Sequence, residues 1–441
     1  MASPVPDLSS GTLAQDTAVP DPGTAVGARE QLVLAAAKSL HANGQETEET
    51  VKAAGRLSEA LGLPAALFLR WGELLLQTEA ADGHARLRAR IVTPSAVNMN
   101  RVAATMRCVD AVCAKRLPVA DAEAVIDTAS AAAPAPLALF VLACVTGASA
   151  LALIFGVMHP KAIMLVALSA GAGAVLRRRL ATRGADSVLQ AFAAALLAGI
   201  VGALAVRWNL SSALRLVAIC PCMILVPGPH ILNGALDMAA LRIPLGASRL
   251  AFAALVLLAI CAGLLIGLAL GGTTLPVSEP GRQVPLWIDT LAAGVAAASY
   301  GVFFSMPLRM LAWPVMVGML AHATRWWAMS AFGIDAALGA GLACLLVGTA
   351  LVPIAGRLHL PFAAVGFASV VSLMPGIFIF RASSALVQLQ ERTALAPTLA
   401  VDALSDAMTA LLIVVAMTLG LVAPKHVFNR LLAPERVRGV G

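Results

Sequence analysis

Two aspartates, Asp402 and Asp406, stand four residues apart in a long apolar stretch near the end of a 441-residue sequence. In a helix this spacing puts both carboxylates on one face, with Ser405 close by. The two charges repel each other, and loss of water makes them costly, so at least one carboxyl is expected to hold a proton near neutral pH. We therefore predict that this pair couples proton movement to another process.

Asp289 is a third candidate for proton coupling, because it lies about one helical turn inside another apolar run. The alternative for all three aspartates is a charge at the edge of the membrane. We interpret four other acids, which fall at the ends of apolar runs, as such edge charges: Asp186, Glu279, Asp335 and Glu391.

Two Pro-Gly motifs, at Pro227-Gly228 and Pro375-Gly376, interrupt apolar runs. Proline cannot donate a backbone hydrogen bond and glycine permits unusual dihedral angles, so a helix breaks at such a motif. The freed carbonyls and helix ends can bind a polar ligand if they line a cavity. We predict a substrate site at the two breaks; the alternative is a pair of simple proline kinks.

Polar side chains follow each break. His230, Asn233 and Asp237 follow the first at positions i, i+3 and i+7, on one helix face. An amino acid needs one partner for its carboxylate and another for its ammonium group. Arg381 and a helix N-terminus could bind the carboxylate, and Asp237 or a backbone carbonyl could bind the ammonium group. The predicted substrate-binding residues are Pro227, Gly228, His230, Asn233, Asp237, Pro375, Gly376, Arg381, Ser383 and Ser384. The alternative is that the segment after the first break lies at the membrane face.

The composition explains what must position these groups. The chain is 59% hydrophobic and 12% charged, whereas soluble chains carry roughly 25% charged residues. We predict an α-helical polytopic membrane protein, with the bilayer as its surroundings. The net charge of +7 does not indicate nucleic-acid binding, because much basic charge inside the apolar region lies in short loops. Ten spans are predicted, at 135–157, 161–176, 187–206, 212–228, 248–271, 286–305, 308–324, 334–354, 361–379 and 398–422.

The two Pro-Gly motifs also reveal an internal repeat. Pro375 lies 148 residues after Pro227, and the same offset relates the first five predicted spans to the second five. An odd number of spans per half gives the halves opposite orientations. We therefore predict two inverted five-helix repeats, at 132–272 and 284–423, an arrangement common in secondary transporters.

The distribution of lysine and arginine predicts the orientation. The loop at 177–183 and the residues from Lys425 to Arg438 are basic, whereas the loop at 273–285 carries only Glu279 and Arg282. Basic loops stay on the cytoplasmic side, so both termini are expected there. Residues 424–441 then form a basic cytoplasmic tail.

The first part of the chain differs from the rest. Residues 1–28, rich in Pro, Ser, Gly, Ala and Asp, are predicted to be a disordered tail. Residues 29–131 combine helical and strand patterns and are predicted to form a small cytoplasmic α+β domain. No cofactor is predicted, and the cysteine spacing fits neither a disulfide framework nor a zinc pattern. Cys220-Pro221-Cys222 could be a metal or redox pair, but we favour packing in a membrane helix.

Several of these motifs resemble the threonine/serine exporter family. The soluble segment is similar to that family's N-terminal domain around Gly44–Thr47 and Thr93–Arg101. Pro227-Gly228, Asn233, Asp237 and Arg249 resemble its Pro-Gly…Asn…Asp…Arg signature. The stretches 299–304, 357–362 and 373–376 resemble its second half.

The resemblance implies a bacterial inner-membrane protein that exports L-threonine and L-serine by proton antiport. Its partners would be a small amino acid, protons and the bilayer, with no nucleic acid; a homo-oligomer is compatible with the sequence. Two alternatives stay open, a membrane-anchored hydrolase acting through residues 29–131 and a passive small-solute channel.

Overall fold

A computed structural model of the chain describes residues 25–79, 84–208, 214–273, 284–389 and 396–432. The predicted acids Glu279 and Glu391, the ends of both predicted tails and most of the loop at 273–285 lie outside these ranges.

The elements before residue 132, here called the N-terminal unit, are four helices and a small sheet. Their bounds are α1 Ala25–Ala42, α2 Thr47–Ala60, β1 Ala65–Leu69, β2 Glu73–Glu79, β3 Ala85–Ile91, α3 Met99–Cys113 and α4 Val119–Ala131. The antiparallel sheet has the order β1-β2-β3, with Leu67 opposite Leu76. Alternate residues of β2, Leu74 and Leu76, are buried in a core that the helices complete. Asn98 begins α3 by accepting a 3.1 Å hydrogen bond from the Arg101 N–H.

The sequence predicts both helices and strands within residues 29–131, and the structure has both there, with one correction at the start. Helix α1 begins at Ala25, inside the segment predicted as a disordered tail. Residues 25–28 contain two alanines, the strongest helix formers, and they simply extend the apolar pattern backwards. The polar composition of the preceding residues hid this in the sequence.

The remaining helices form a bundle. Their bounds are α5 Leu137–Ile154, α6 Pro160–Thr182, α7 Ser187–Arg207, α8 Leu214–Met223, α9 Gly228–Ala239, α10 Ile243–Leu270, α11 Leu286–Phe303, α12 Ala312–Phe332, α13 Ala336–Leu358, α14 Phe362–Val370, α15 Gly376–Leu389 and α16 Ala396–Leu432. Within the described ranges, seven helices are long and apolar enough to cross a membrane, or nine if each bent pair is one span. The chain is therefore a polytopic helical membrane protein.

Both predicted helix breaks are present. Helices α8 and α9 meet at 56° around Pro227, and the segments on either side of Pro375 meet at 66°. A short 3₁₀ turn, Val371–Leu373, completes α14 before the second break. Proline removes one backbone donor at each site, which is the physical reason that the helices cannot continue.

Several span boundaries differ from the prediction, and two of the differences bear on the number of spans and on the predicted C-terminal tail. The span expected at 308–324 is helix α12, which begins at Ala312 and runs to Phe332. Its later half carries His322 and Arg325, and these polar residues conceal the helix from a search for apolar runs. This helix is also not among the seven, so the count of ten spans stays a prediction. Helix α16 runs on to Leu432, into the segment predicted as a tail.

The two halves of the bundle share one packing pattern. Helix α5 packs on α6, α6 on α7, α7 on α10, and α9 on α10; α11 to α16 repeat these pairs in the same order. Helices α5 and α11 pack side by side and run antiparallel, since Ala135 before α5 hydrogen-bonds to Ser305 after α11. The inverted repeat remains a prediction, and this is the neighbour pattern that it requires.

Small residues bring the main helix pairs into close contact in both halves. A Cβ on Gly267 of α10 would lie 2.3 Å from the Leu196 carbonyl oxygen of α7. A Cβ on Gly420 of α16 would lie 2.5 Å from the Gly341 carbonyl oxygen of α13. Helix pairs in lipid associate through such backbone contact.

Candidate functional site

Two cavities lie at opposite ends of the bundle. The first, of about 450 Å³, lies beside the N-terminal unit, between the start of α5 and the ends of α6 and α11. The second, of about 260 Å³, lies between the end of α5, the start of α11 and the end of α12. Pro227 lines the first and Pro375 lines the second, and the two cavities have no lining residue in common.

The first cavity is basic. Arg101, Arg177 and Arg178 line it, and Asp186 is the carboxylate among them. The guanidinium of Arg177 lies 4.9 Å from the centre of the Phe303 ring, and two of its nitrogens are buried without a hydrogen-bond partner. Cation–π contact offsets part of that loss of hydration. This end of the bundle therefore favours anionic groups.

The N-terminal unit occupies the α9 face that follows the first break. Asn233 Nδ2 donates to the Gly44 carbonyl at 3.1 Å, and Thr47 Oγ1 donates to Asp237 Oδ2 at 3.0 Å. Arg249 Nε of α10 lies 3.0 Å from the same Asp237 oxygen. The side chain of Arg249 is fully buried and that of Asp237 is 3% exposed. We call these five residues the clasp.

The backbone between α1 and α2 positions the two clasp residues of the N-terminal unit. Gly44 has a φ of +88°, a left-handed conformation that glycine adopts without strain, and it turns the chain between α1 and α2. Thr47 is the first residue of α2, so the Asp237 carboxylate lies at the positive end of that helix. The motif around Gly44–Thr47 and the one around Asn233 and Asp237 therefore meet in space.

His230 also contacts the N-terminal unit. Its ring centre lies 4.9 Å from that of Phe252 and 6.2 Å from that of Trp71, a residue between β1 and β2. His230, Asn233 and Asp237 thus share one helix face, as their spacing predicts, and this face meets the N-terminal unit. Their predicted role in substrate binding stays a prediction.

His41, at the end of α1, lies against the clasp. Arg249 Nη2 is 3.4 Å from His41 Nδ1. Burial, followed by the positive charge of Arg249, lowers the pKa of His41 from 6.5 to about 3. His41 is therefore neutral at physiological pH while the N-terminal unit is docked.

An ion pair and a histidine–carboxylate contact also hold the N-terminal unit to the second half of the bundle. Lys425 of α16 pairs with Glu46, and both side chains are almost fully buried. His359, just after α13, places Nε2 2.9 Å from Asp110 Oδ2 of α3. Since the clasp joins the unit to α9 and α10, the unit contacts both halves.

The two breaks cross at the middle of the bundle. A Cβ on Gly228, the first residue of α9, would fall 1.7 Å from Phe367 Cε2 of α14. A Cβ on Gly376, the first residue of α15, would lie 3.1 Å from Met223 Cε at the end of α8. Each break is thus covered by the other half, and Gly228 leaves no room for a larger residue.

Tyr300 of α11 completes this crossing. Pro227 cannot donate to the Met223 carbonyl four residues before it, and Tyr300 OH donates to that oxygen at 2.8 Å. Tyr300 is 1% exposed, and its ring lies 5.8 Å from that of Phe367. Neither Tyr300 nor Phe367 lines the first or the second cavity, and these packed side chains lie between the two.

The second cavity contains a chain of three hydrogen-bonded side chains. Asp289 Oδ2 lies 2.9 Å from His322 Nδ1, and His322 Nε2 lies 2.6 Å from Ser372 Oγ. Asp289 and Ser372 line the cavity, and all three residues are buried. A neutral histidine donates through one ring nitrogen and accepts through the other, so this chain can hold or pass one proton.

Arg325, one turn after His322 on α12, also lines the second cavity. Its Nε is buried without a hydrogen-bond partner. Trp326 forms part of the wall and is fixed by a 3.0 Å hydrogen bond from its Nε1 to the Val284 carbonyl. The cavity therefore contains one acidic and one permanently basic side chain.

The other predicted residues lie away from both cavities. Arg381 Nε lies 2.9 Å from Asp406 Oδ2, so a predicted substrate residue and a predicted proton carrier form a buried ion pair between α15 and α16. Ser383 donates to the Ile379 carbonyl, and Ser384 is buried in α15. Asp402 is exposed on α16, one turn before Asp406.

Sequence reasoning missed His322, Arg325, Ser372 and Tyr300. A search for every ionisable residue within an apolar run, rather than for acids only, would have found His322 and Arg325. The position of Ser372, three residues before Pro375, was an available signal as well.

Two family models match the chain. Residues 31–271 match "Putative threonine/serine exporter", and residues 289–427 match "Threonine/Serine exporter, ThrE". No curated protein and no solved structure matches the chain.

Proposed function

Since the chain belongs to the threonine/serine exporter family, we propose that it exports L-threonine and L-serine from the cytoplasm by proton antiport with alternating access. Family membership indicates an amino-acid exporter rather than an enzyme. The observation that carries the mechanism is the pair of cavities at opposite ends of the bundle.

Alternating access requires a substrate path that is open to one side at a time. The crossing of the two breaks supplies the barrier, because Phe367 covers Gly228 and Met223 covers Gly376. Each contact joins one half of the bundle to the other. A rocking motion of the halves would loosen this barrier without unfolding a helix.

Asp289 is the strongest candidate for the proton carrier. It lines a cavity and shares a hydrogen bond with His322, so it can exchange protons from that side. Asp406 would have to release Arg381 first. Asp402 is exposed on the outer surface of its helix and serves as a natural comparison.

The sequence predicts a basic loop at 177–183, but α6 continues to Thr182, so these arginines lie at the end of that helix. Together with Lys425 they support a cytoplasmic location for the N-terminal unit. Arg178 donates to the Ala135 carbonyl at the start of α5, and Lys425 pairs with Glu46. Both basic segments thus lie at the end that carries the N-terminal unit. In a bacterial inner membrane this end faces the cytoplasm by the positive-inside rule.

The test is efflux of labelled L-threonine from proteoliposomes under an imposed pH gradient. Wild type, Asp289→Asn, Asp406→Asn and Asp402→Asn are compared. We expect gradient-driven efflux in wild type and Asp402→Asn, and its loss in Asp289→Asn. Coupled efflux that survives in Asp289→Asn but not in Asp406→Asn would assign the carrier to the Arg381 pair. Efflux whose rate does not depend on the pH gradient would indicate a passive channel.

Hydrolysis is a second candidate function, favoured by one observation. Ser372, His322 and Asp289 are hydrogen-bonded in that order, as are the nucleophile, base and orienting acid of a hydrolase triad. These three side chains lie in the helical bundle. The hydrolase alternative from the sequence instead placed the active site in residues 29–131. Labelling of wild type by a fluorophosphonate probe, and its loss in Ser372→Ala, would support hydrolysis; an unlabelled protein would leave the proton relay as the role of the chain.

A further inference from the structure

We propose that the second cavity binds the zwitterionic backbone of a free amino acid, with Arg325 as the partner of its carboxylate and Asp289 as the partner of its ammonium group. This inference rests on the proposed function and assigns it a binding site. It also moves the site away from Arg381 and Asp237, because both of those residues are already engaged in buried ion pairs.

The charges of the cavity fit such a ligand. Arg325 and Asp289 both line the cavity, yet no ion pair joins them. Arg325 Nε is buried without a hydrogen-bond partner, and Asp289 uses Oδ2 for His322. A buried guanidinium N–H without a hydrogen-bond partner is costly, and a carboxylate is the group that the planar donors of arginine match. A ligand with one charge of each sign would satisfy both residues and leave the site neutral.

The second break adds to the carboxylate side of the site. Pro375, Ile377 and Phe378, at the start of α15, line the cavity. The first N–H groups of a helix have no partners within the helix and carry partial positive charge. Helix α15 has 14 residues, long enough for this effect, and it points its beginning at the cavity that contains Arg325.

Size and wall chemistry favour a small ligand. The cavity volume of about 260 Å³ lies below the roughly 300–1,000 Å³ of pockets for drug-sized molecules. Ile154, Phe155 and Leu373 supply apolar wall, whereas Ser372 Oγ offers a hydrogen-bond partner next to His322. A short side chain that bears a hydroxyl group suits this lining.

The test is exchange of labelled L-threonine in proteoliposomes loaded with unlabelled L-threonine, with competitors added outside. Threoninamide lacks the carboxylate, and N-acetylthreonine lacks the ammonium group. For wild type we expect each analogue to compete about tenfold or more worse than threonine, since each leaves one buried charge unpaired. Equal competition by threoninamide and threonine would overturn the site.

Variants then assign the preference to a residue. In Arg325→Gln the preference for threonine over threoninamide should collapse, and in Asp289→Asn the preference over N-acetylthreonine should collapse. Arg309→Gln, an exposed arginine outside both cavities, is the matched control and should keep both preferences. Arg325→Lys, which keeps the charge but not the planar fork, serves if Arg325→Gln does not fold.

The outcomes separate this inference from the proposed function. Threonine exchange that keeps its full preference in Arg325→Gln and Arg325→Lys would overturn the site and leave the exporter standing. Exchange of a different amino acid with the same dependence on Arg325 would support the site and overturn the proposed substrates. Absence of exchange for every amino acid in folded wild type would overturn both.

Discussion

The two Pro-Gly breaks have the same backbone chemistry, but the side chains that follow them have different partners. After the first break, Asn233 and Asp237 bind the N-terminal unit. At an offset of 148 residues, Arg381 and Ala385 take their places after the second break. Arg381 pairs with Asp406 inside the bundle, and the second break itself faces a charged cavity.

The two halves therefore have the same backbone break in common but not the side-chain partners that follow it. Proline breaks both helices, and glycine permits the crossing in both halves. The polar residues that follow are free to specialise, because the bend does not depend on them. The first half anchors the N-terminal unit, and the second half presents Asp289 and Arg325 to a cavity.

The largest effect should come from breaking the clasp at Arg249. Replacing it by methionine removes the fully buried cation from the Asp237 carboxylate and leaves only the partly exposed Arg242 near it. Loss of one partner of a buried ion pair costs about 3–5 kcal/mol. We expect a clear fall in melting temperature of the purified full chain in detergent. Limited proteolysis should also release the N-terminal unit earlier than in wild type.

Arg242→Gln is the matched control for that experiment. Arg242 lies 3.6 Å from the other oxygen of Asp237, but its side chain is 36% exposed, and such pairs contribute about 0–1 kcal/mol. A melting temperature as high in Arg249→Met as in Arg242→Gln would mean that the clasp does not hold the unit.

Removing the Tyr300 hydroxyl should have an intermediate effect confined to the first break. Tyr300→Phe leaves the buried Met223 carbonyl with only a 3.4 Å hydrogen bond from the Val226 N–H, a loss of about 0.5–1.5 kcal/mol. At the second break the equivalent bond, from the Met374 N–H to the Val371 carbonyl, is shorter at 3.1 Å. Hydrogen exchange should therefore accelerate around residues 223–228 and stay unchanged around 371–376. Equal acceleration at both breaks would contradict the comparison.

The sequence predicts the breaks well because they depend on local chemistry. Proline and glycine act on their own turn of helix, so Pro227 and Pro375 suffice to place both bends. Partners across the fold are different: Thr47 and Asp237 are 190 residues apart, and no local spacing pairs them. The sequence predicts different roles for Arg381 and Asp406, and only the packing of α15 on α16 joins them.

The smallest effect concerns pH at the first break. Docking buries His41 next to Arg249 and lowers its pKa from 6.5 to about 3, so the undocked state binds the proton more readily. Docking is then fully favourable above pH 6.5 and weakens as the pH falls towards 3, by about 1.4 kcal/mol per pH unit at most. Protease release of the N-terminal unit should therefore accelerate between pH 7.5 and 5.5. In His41→Gln the side chain stays uncharged, so this acceleration should be smaller. An unchanged pH profile in that variant would assign the effect to another group at the interface. His230, which lies near Arg249, would be the first such group to test.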